Sequence, residues 1–191
     1  MLAPLPQPDA LRCLYSDRPA CCWVLAEVEI LANEHLAEAG VSNPPVPSEL
    51  INIFDKSSKI EVRLVPSLKT LHGAVWRLGR EWIMQLNARD HRRHRRYTMF
   101  HEAFHIAYRI INPAFKETEL SHISFNEVLA DHFATCLLMC KEWIEEYWPR
   151  VQDLGVMADI FDVPIRQMRR RLSQLGLLQK ASDYDGASRT D

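Results

Sequence analysis

Apolar residues recur at helical spacing over two long stretches in the middle of the chain, residues 97–111 and 124–139. The first stretch contains neither Gly nor Pro, and Asn112 and Pro113 supply a stop signal directly after it. Apolar side chains occupy most sides of both stretches, which is typical of helices that pack inside a protein rather than on its surface. The pattern therefore predicts two core helices.

Apolar and acidic residues also interleave at helical spacing over residues 22–39, and Gly40 ends this predicted helix. Ser48 can cap a further, short helix that ends at Phe54. The N-terminal part of the chain thus predicts one long and one short helix.

Strand patterns occur at residues 60–65, 73–78 and 82–87. The alternation in the first segment indicates a strand with one face covered, and the last two segments flank a hairpin signal at Gly79. The chain as a whole is therefore predicted to be α+β, with a small, three-stranded, mostly antiparallel sheet packed on the core helices.

The last third of the chain has the pattern of a helix, a tight turn and a second helix, at residues 151–161, 162–164 and 165–175. The predicted organisation is an irregular Pro-rich arm at 1–20, a core at 21–149, a helical C-terminal piece at 150–178 and a polar, disordered tail at 179–191.

Composition narrows the class of protein. A net charge of −2 over 191 residues carries no overall signature of nucleic-acid binding. No stretch approaches the roughly 18 apolar residues of a membrane span, and the start lacks the features of a signal peptide. Five cysteines, an odd number, indicate a reducing compartment, so a cytoplasmic location without membrane association is expected. Cys136 and Cys140 share a helix face and are interpreted as core residues rather than metal ligands.

His101-Glu102-Ala103-Phe104-His105 forms an H-E-x-x-H pentad in the first core helix. Residues i and i+4 lie on one face of a helix, so both imidazoles can bind one zinc ion. Glu102 is rotated about 100° from His101, which sets its carboxylate beside the metal, where a metallohydrolase needs a base. The alternative is a pair of core histidines and a salt-bridged glutamate.

A catalytic zinc typically has three protein ligands and a water, and the second core helix offers the third. A loop around residues 113–119 can bring Glu127 back to the pentad. Asp131 follows one turn later on the same side, where it can accept a ring N–H from a ligand histidine. In the alternative, Ser124 and Glu127 form a capping box. Weaker candidate ligands are Glu119, His122 and His132.

Several motifs follow one another along the chain: an apolar strand ending in Leu-Asn at 82–87, a basic stretch at 89–96, R-x-T-x-x-H-E-x-x-H at 96–105 and E-x-x-A-D-x-F-A-x-x-L-L-M at 127–139. Their order resembles the ImmA/IrrE family of metallopeptidases, over residues 46–178. The resemblance implies a zincin-like fold in which His101, His105 and Glu127 bind Zn²⁺, or Mn²⁺ in its place, and Glu102 is the general base. Asp131 departs from the family's usual Asn, and Cys140 from a frequent Pro.

In zincin-like proteins an edge strand near the pentad helix pairs with an extended peptide substrate, a form of β-augmentation. By resemblance, the strand at residues 82–87 is the candidate, with Trp82, Met84 and Leu86 as substrate-binding residues. An ordinary core strand is the alternative.

The expected reaction is zinc-dependent peptide hydrolysis, with Glu102 moving the proton. The resemblance further implies a protein substrate, a helix-turn-helix repressor in a stress, mobile-element or toxin–antitoxin pair. Two rivals stay open: a zincin-fold zinc sensor or toxin module without peptidase activity, and a DNA-binding regulator. The residue that stabilises the oxyanion is not chosen among Tyr97, His122, His132 and Tyr147.

Two basic segments bear on the nucleic-acid alternative. The run at residues 89–96 is either a rim that docks an acidic partner or a solvated loop and first helical turn. The helix at residues 166–171 carries Arg166, Arg169, Arg170 and Arg171, as a DNA-recognition helix would. DNA binding is possible but not favoured, because helices packed on a catalytic core are commoner.

Overall fold

The computed structural model of the chain describes residues 19–66, 68, 71–111 and 120–178. The predicted disordered tail, the loop around residues 113–119 and all but the last two residues of the predicted N-terminal arm lie outside this set. Those last two residues are not irregular, because helix α1 already begins at Pro19.

Helix α1 spans Pro19–Glu38 and ends before Gly40, whose φ of 65° lies in the left-handed region that glycine adopts without strain. The predicted long helix is confirmed. The short helix is also present, as a 3₁₀ helix at Ser48–Ile53, but Pro47 occupies its N-cap position, so the prediction that Ser48 caps it is wrong.

Among the described residues the sheet has three strands, β1 at Ile60–Val65, β2 at Gly73–Leu78 and β3 at Glu81–Asn87, in the order β1-β3-β2. The predicted hairpin is confirmed, since β2 pairs with β3 in antiparallel fashion. The chain crosses from β1 to the far edge before the hairpin, so β3 returns in the middle, parallel to β1. The sheet is therefore mixed, and the prediction of a mostly antiparallel sheet is wrong.

The strands of the sheet differ in how far their side chains are buried. The central strand β3 buries Trp82, Met84 and Leu86 almost completely. On the edge strand β1 only Ile60 is buried, and Leu64 is 58 % exposed. The prediction that one face of β1 is covered therefore holds only at its start.

In the described part of the chain, five helices follow the sheet: α2 at Arg92–Ile111, α3 at Leu120–Leu138, α4 at Lys141–Val151, α5 at Leu154–Ile160 and α6 at Ile165–Gln174. Helix α2 lies between the β2–β3 hairpin on one side and α3 on the other, and α1 packs on α3. The two predicted core helices are confirmed, and the molecule is α+β. Among the described residues no helix is long and apolar enough to span a membrane.

Aromatic side chains pack in the core between α2 and α3. Phe104 and Phe133 are fully buried, with their ring centroids 5.4 Å apart, and Phe54 adds an edge contact to Phe133 at 5.7 Å. Burial of such side chains fixes the separation of the two helices that carry the pentad and its predicted third ligand.

The C-terminal helices differ from the predicted pair. The helix expected at 151–161 is interrupted, because Gln152 takes a left-handed φ of 50° after α4. Asp153 then caps α5, accepting a hydrogen bond from the Val156 amide at 2.8 Å. The second helix is confirmed as α6.

The basic run at 89–96 forms the end of the β3–α2 loop and the first turns of α2. Arg92 donates to Asp162 at 2.6 Å, Arg93 lies 2.7 Å from Asp159, and Arg96 donates to the Asp162 carbonyl at 3.0 Å. The solvated-loop interpretation therefore holds for Arg89 and His91, which are exposed. Arg92, Arg93 and Arg96 instead dock the start of α2 onto the α5–α6 turn.

Candidate metal centre

Three groups of histidine, cysteine and carboxylate side chains bring potential ligand atoms within 4.8 Å of one another in the part of the chain that the structure describes. They are His101, His105 and Glu127; Glu29, His132 and Cys136; and His72, Asp90 and His94. The first group unites the pentad on α2 with Glu127 on α3, as the sequence predicts.

The first group is compact. The Nε2 atom of His101 lies 3.1 Å from one oxygen of Glu127, and the Nε2 atom of His105 lies 3.3 Å from the other. The one-turn spacing on α2 sets the two rings 5.3 Å apart. Ser124 lies inside α3 rather than at its start, so the alternative of a capping box is wrong.

The donor set fits a zinc ion. Donors bonded to one tetrahedral zinc at about 2.0–2.1 Å lie about 3.4 Å apart, and the two measured contacts of Glu127 are 3.1 and 3.3 Å. Two imidazoles and one carboxylate are a common ligand set of catalytic zinc, which keeps one position open. The Glu127 side chain is 53 % exposed, so that position is reachable.

Asp131 contacts the Nδ1 side of the His101 ring, whereas Glu127 contacts Nε2. The Oδ1 atom of Asp131 lies 3.4 Å from the Nδ1 atom of His101, and its Oδ2 accepts a hydrogen bond from Arg170 at 2.8 Å. Tyr97 donates to the Asp131 carbonyl at 2.8 Å. The ring of His101 is thus oriented with Nε2 toward Glu127, an arrangement that ligand histidines typically have.

The electrostatics of the group favour positive charge. Burial alone would lower the pKa of His101, but hydrogen bonds with Asp131 and Glu127 raise it to about 9. Hydrogen bonds from His101 and His105 hold the pKa of Glu127 far below its usual range. Burial opposes a low pKa at Asp131, but His101 and Arg170 outweigh it. Two ionised carboxylates therefore face the two imidazoles, as a cation site requires.

Glu102 lies beside this group and contacts strand β2. It is 8 % exposed, and burial raises its pKa. A Cβ atom at Gly73 would lie 2.9 Å from the Oε1 atom of Glu102 and 2.5 Å from Thr98, so only glycine fits there. Sequence reasoning did not single out Gly73, although a glycine that opens a strand is a signal of close backbone approach.

Helix α2 contacts both β2 and β3, but β2 lies at the edge of the sheet and β3 pairs on both of its edges. The prediction that residues 82–87 form the peptide-pairing edge strand is therefore wrong. Trp82, Met84 and Leu86 are core residues, since their side chains are buried.

The second group of potential ligands lies on the other side of α3, against α1. The Nε2 atom of His132 lies 3.1 Å from the Leu25 carbonyl and 3.4 Å from the Cys136 sulfur. Arg171 forms an ion pair with Glu29. Burial raises the pKa of Cys136 to about 12, so it remains a thiol. His132 therefore does not join the pentad, and Cys136 is a core residue as predicted.

Cys136 lies in α3 and Cys140 at the N-cap position of α4, so the prediction that the two share a helix face is wrong. Cys140 donates to Glu142 at 2.8 Å. Burial raises the pKa of Cys140 to about 11. The two cysteines therefore do not form a ligand pair.

None of the oxyanion candidates within the described part is free beside the first group. The Tyr97 hydroxyl is bonded to Asp131 and Thr135, Tyr147 packs on Phe161 at 6.0 Å, and His132 faces Leu25. Glu119 and the side chain of His122 lie outside the described residues.

The arginine-rich helix α6 is partly used within the chain. Arg171 is 2 % exposed and donates to the Met139 carbonyl at 3.0 Å, and Arg170 holds Asp131. Arg166 and Arg169 are exposed. Sequence reasoning missed the role of Arg170, because no local spacing signals a contact between α6 and α3.

No protein-family model matches the chain, and no curated protein matches it. The geometry of the first group and the resemblance of its motifs are therefore the observations that bear on function.

Proposed function

We propose that the chain is a zinc-dependent intracellular metallopeptidase with a zincin-like core. The observation that carries the proposal is the convergence of His101, His105 and Glu127, with contacts of 3.1 and 3.3 Å, beside a buried Glu102. Three ligands with one open position and a neighbouring base are the components of metal-assisted hydrolysis.

When bound, zinc would supply a Lewis acid that polarises a carbonyl and lowers the pKa of water. Glu102 is the proton carrier. Because burial raises its pKa, its carboxylate is a stronger base than an exposed glutamate. It takes the proton of the attacking water and passes it to the leaving amine, so the base becomes the acid within one turnover. Asp131 keeps the ring of His101 in the orientation that binding requires.

The edge strand β2 supplies a binding surface for an extended peptide. It pairs only with β3 in the described sheet, and at Gly73 its backbone approaches Glu102 without an intervening side chain. A peptide that adds to this edge through backbone hydrogen bonds would lie alongside the proposed base. Pairing of this kind tolerates many sequences, so selection must come from side-chain contacts or from docking elsewhere.

The substrate class rests on the resemblance to ImmA/IrrE peptidases. It is a helix-turn-helix repressor, cleaved at one site in a stress, mobile-element or toxin–antitoxin pair. The alternative of a DNA-binding regulator loses two of its four arginines, because Arg170 and Arg171 are paired within the chain, while Arg166 and Arg169 are exposed.

The test incubates the purified protein, with Zn²⁺ or Mn²⁺, with the repressor encoded beside it and follows cleavage. Glu102→Gln should keep its zinc and lose about 100- to 10,000-fold in turnover, since the proton carrier is removed. Glu145→Gln, an exposed glutamate of α4, is the matched control and should cleave at the wild-type rate.

Normal cleavage by Glu102→Gln would show that another group is the base. Wild-type protein that binds zinc and leaves the repressor intact would instead support the sensor alternative.

A further inference from the structure

The third group of potential ligands, His72, Asp90 and His94, lies away from the proposed active site and has no part in the mechanism. Its members come from three elements: the segment before β2, the loop after β3 and the first turn of α2. The Nδ1 atom of His72 lies 2.8 Å from the Oδ2 atom of Asp90, and the Nε2 atom of His94 lies 3.9 Å from the same oxygen.

An unsatisfied nitrogen distinguishes this group from an ordinary surface cluster. The Nε2 atom of His94 is buried and has no hydrogen-bond partner among the described residues. A buried polar atom left without a partner costs about 1–3 kcal/mol. The rings of His72 and His94 meet edge to face at 4.5 Å, a contact that does not satisfy this nitrogen.

In the second group Arg171 forms an ion pair with Glu29, but among the described residues no arginine pairs with the Asp90 carboxylate of the third group. Arg95 donates to the backbone carbonyls of Ala88 and Asp90 rather than to the Asp90 carboxylate, and Arg93 turns to Asp159 and Asp162. Within the described residues the ion pairs of the Asp90 carboxylate are made with the two imidazoles. Burial, and then the neighbouring His72, lower the pKa of His94.

We propose that His72, Asp90 and His94 form a second metal site, for a divalent transition ion of the Zn²⁺, Ni²⁺ or Cu²⁺ class. Imidazole nitrogen suits these ions, and Mg²⁺ and Ca²⁺ prefer all-oxygen sites. His94 precedes His101 by two helical turns, about 10 Å along α2, so the ion is separate from the one proposed for hydrolysis. The ion would connect His72, just before Gly73, to His94 in the first turn of α2. It would therefore lie near Gly73, where the edge strand β2 begins.

The inference does not depend on peptidase activity, and its test measures metal alone. The metal-free full-length protein is titrated with Zn²⁺, and bound ion is counted by equilibrium dialysis. We expect wild-type protein to bind two ions, His94→Gln and His105→Gln to bind one each, and the double variant to bind none. His72→Gln, a change at a largely exposed side chain, should also bind one and guards against misfolding of the His94 variant.

His91→Gln is the matched control, because His91 is an exposed histidine of the same segment that lies outside the group. It should still bind two ions. In the His105→Gln background, imidazole NMR signals of His72 and His94 should shift with Zn²⁺ and those of His91 should not.

Wild-type stoichiometry in both His72→Gln and His94→Gln would overturn the inference, as would Mg²⁺ displacing Zn²⁺ at equal concentration. A loss of the ion in His94→Gln but not in His105→Gln would leave the second site standing and remove the support for the proposed active site.

Discussion

Helix α3 carries potential metal ligands on two sides, and the two sides differ in what balances their charge. Toward α2, Glu127 faces the imidazoles of His101 and His105. Toward α1, His132 and Cys136 lie beside Glu29, but Arg171 pairs with that carboxylate, and the Leu25 carbonyl lies beside the His132 ring. Similar side chains therefore form a candidate cation site on one side of α3 and an internally paired network on the other.

Two consecutive arginines of α6 produce this difference. Arg171 is buried and binds the carboxylate of Glu29, which is a potential ligand itself. Arg170 binds Asp131, which contacts the Nδ1 atom of His101, while Glu127 contacts the imidazoles of His101 and His105. An internal cation next to a carboxylate thus decides whether that carboxylate is available to a metal.

The largest expected effect is a difference in zinc affinity between variants on the two sides of α3. In a His94→Gln background, which removes the third group, Glu127→Gln should abolish measurable zinc binding in a chelator competition, because a directly contacting carboxylate is lost. Cys136→Ala, on the opposite side of α3, should bind zinc as the parent does. Loss of zinc from Cys136→Ala would reverse the assignment of the two sides.

The pairing of Arg171 with Glu29 should contribute to the free energy of unfolding rather than to zinc binding. Glu29→Ala leaves the guanidinium of Arg171 buried with the Met139 carbonyl as its remaining partner. Removal of one partner of a buried ion pair costs about 3 kcal/mol, which urea unfolding of the metal-free protein would detect. Glu146→Ala, which breaks an exposed pair with Arg150, is the control and should change stability little. Equal losses in the two variants would mean that Arg171 is not held by Glu29.

The charge of the open side predicts a pH dependence. Burial would lower the pKa of His101, but its two carboxylate partners raise it to about 9 in the metal-free protein, against about 6.5 in the unfolded chain. Because the folded pKa is the higher one, the protonated ring stabilises the fold fully below about pH 6.5, and this contribution is lost as the pH rises toward about 9.

We therefore expect the free energy of unfolding of the metal-free protein to fall by roughly 2–3 kcal/mol across that window. Urea denaturation in the presence of chelator, at a series of pH values, measures it. His101→Gln should remove the fall, so a constant difference between the two proteins across the window would contradict the assignment.

The sequence predicted which side of α3 faces the pentad. Helical spacing within α2 and α3 places His101, His105, Glu127 and Asp131 on definite faces, and such spacing is a local property. The hairpin and the cysteines as core residues were also predictable, from turn residues and apolar context.

The parts that sequence reasoning missed depend on contacts between distant segments. The central position of β3 follows from its parallel pairing with β1, which no local pattern records. The approach of Gly73 to Glu102 and of Arg170 to Asp131 joins residues whose positions are set by packing of whole elements. The internal pairing of the basic run was missed for the same reason, since its partner Asp162 lies in the α5–α6 turn.

The smallest expected effect concerns Asp131, which contacts both Arg170 and His101. Asp131→Asn keeps an oxygen that can accept from the Nδ1–H of His101 but removes the charge, and it gives the residue usual in the family that the motifs resemble. Partners that orient a ligand histidine contribute about 10- to 100-fold in metal affinity, so we expect a loss near the lower end for Asn and near the upper end for Asp131→Ala.

Arg170→Gln should cost less than either Asp131 variant, because the Arg170 side chain is half exposed and the contact of Asp131 with His101 survives its loss. Zinc affinities of the three variants, measured in the His94→Gln background, would then rank by how directly each touches His101. A larger loss for Arg170→Gln than for Asp131→Ala would mean that Arg170 acts on the site by a route other than Asp131, and the contrast between the two arginines of α6 would no longer hold.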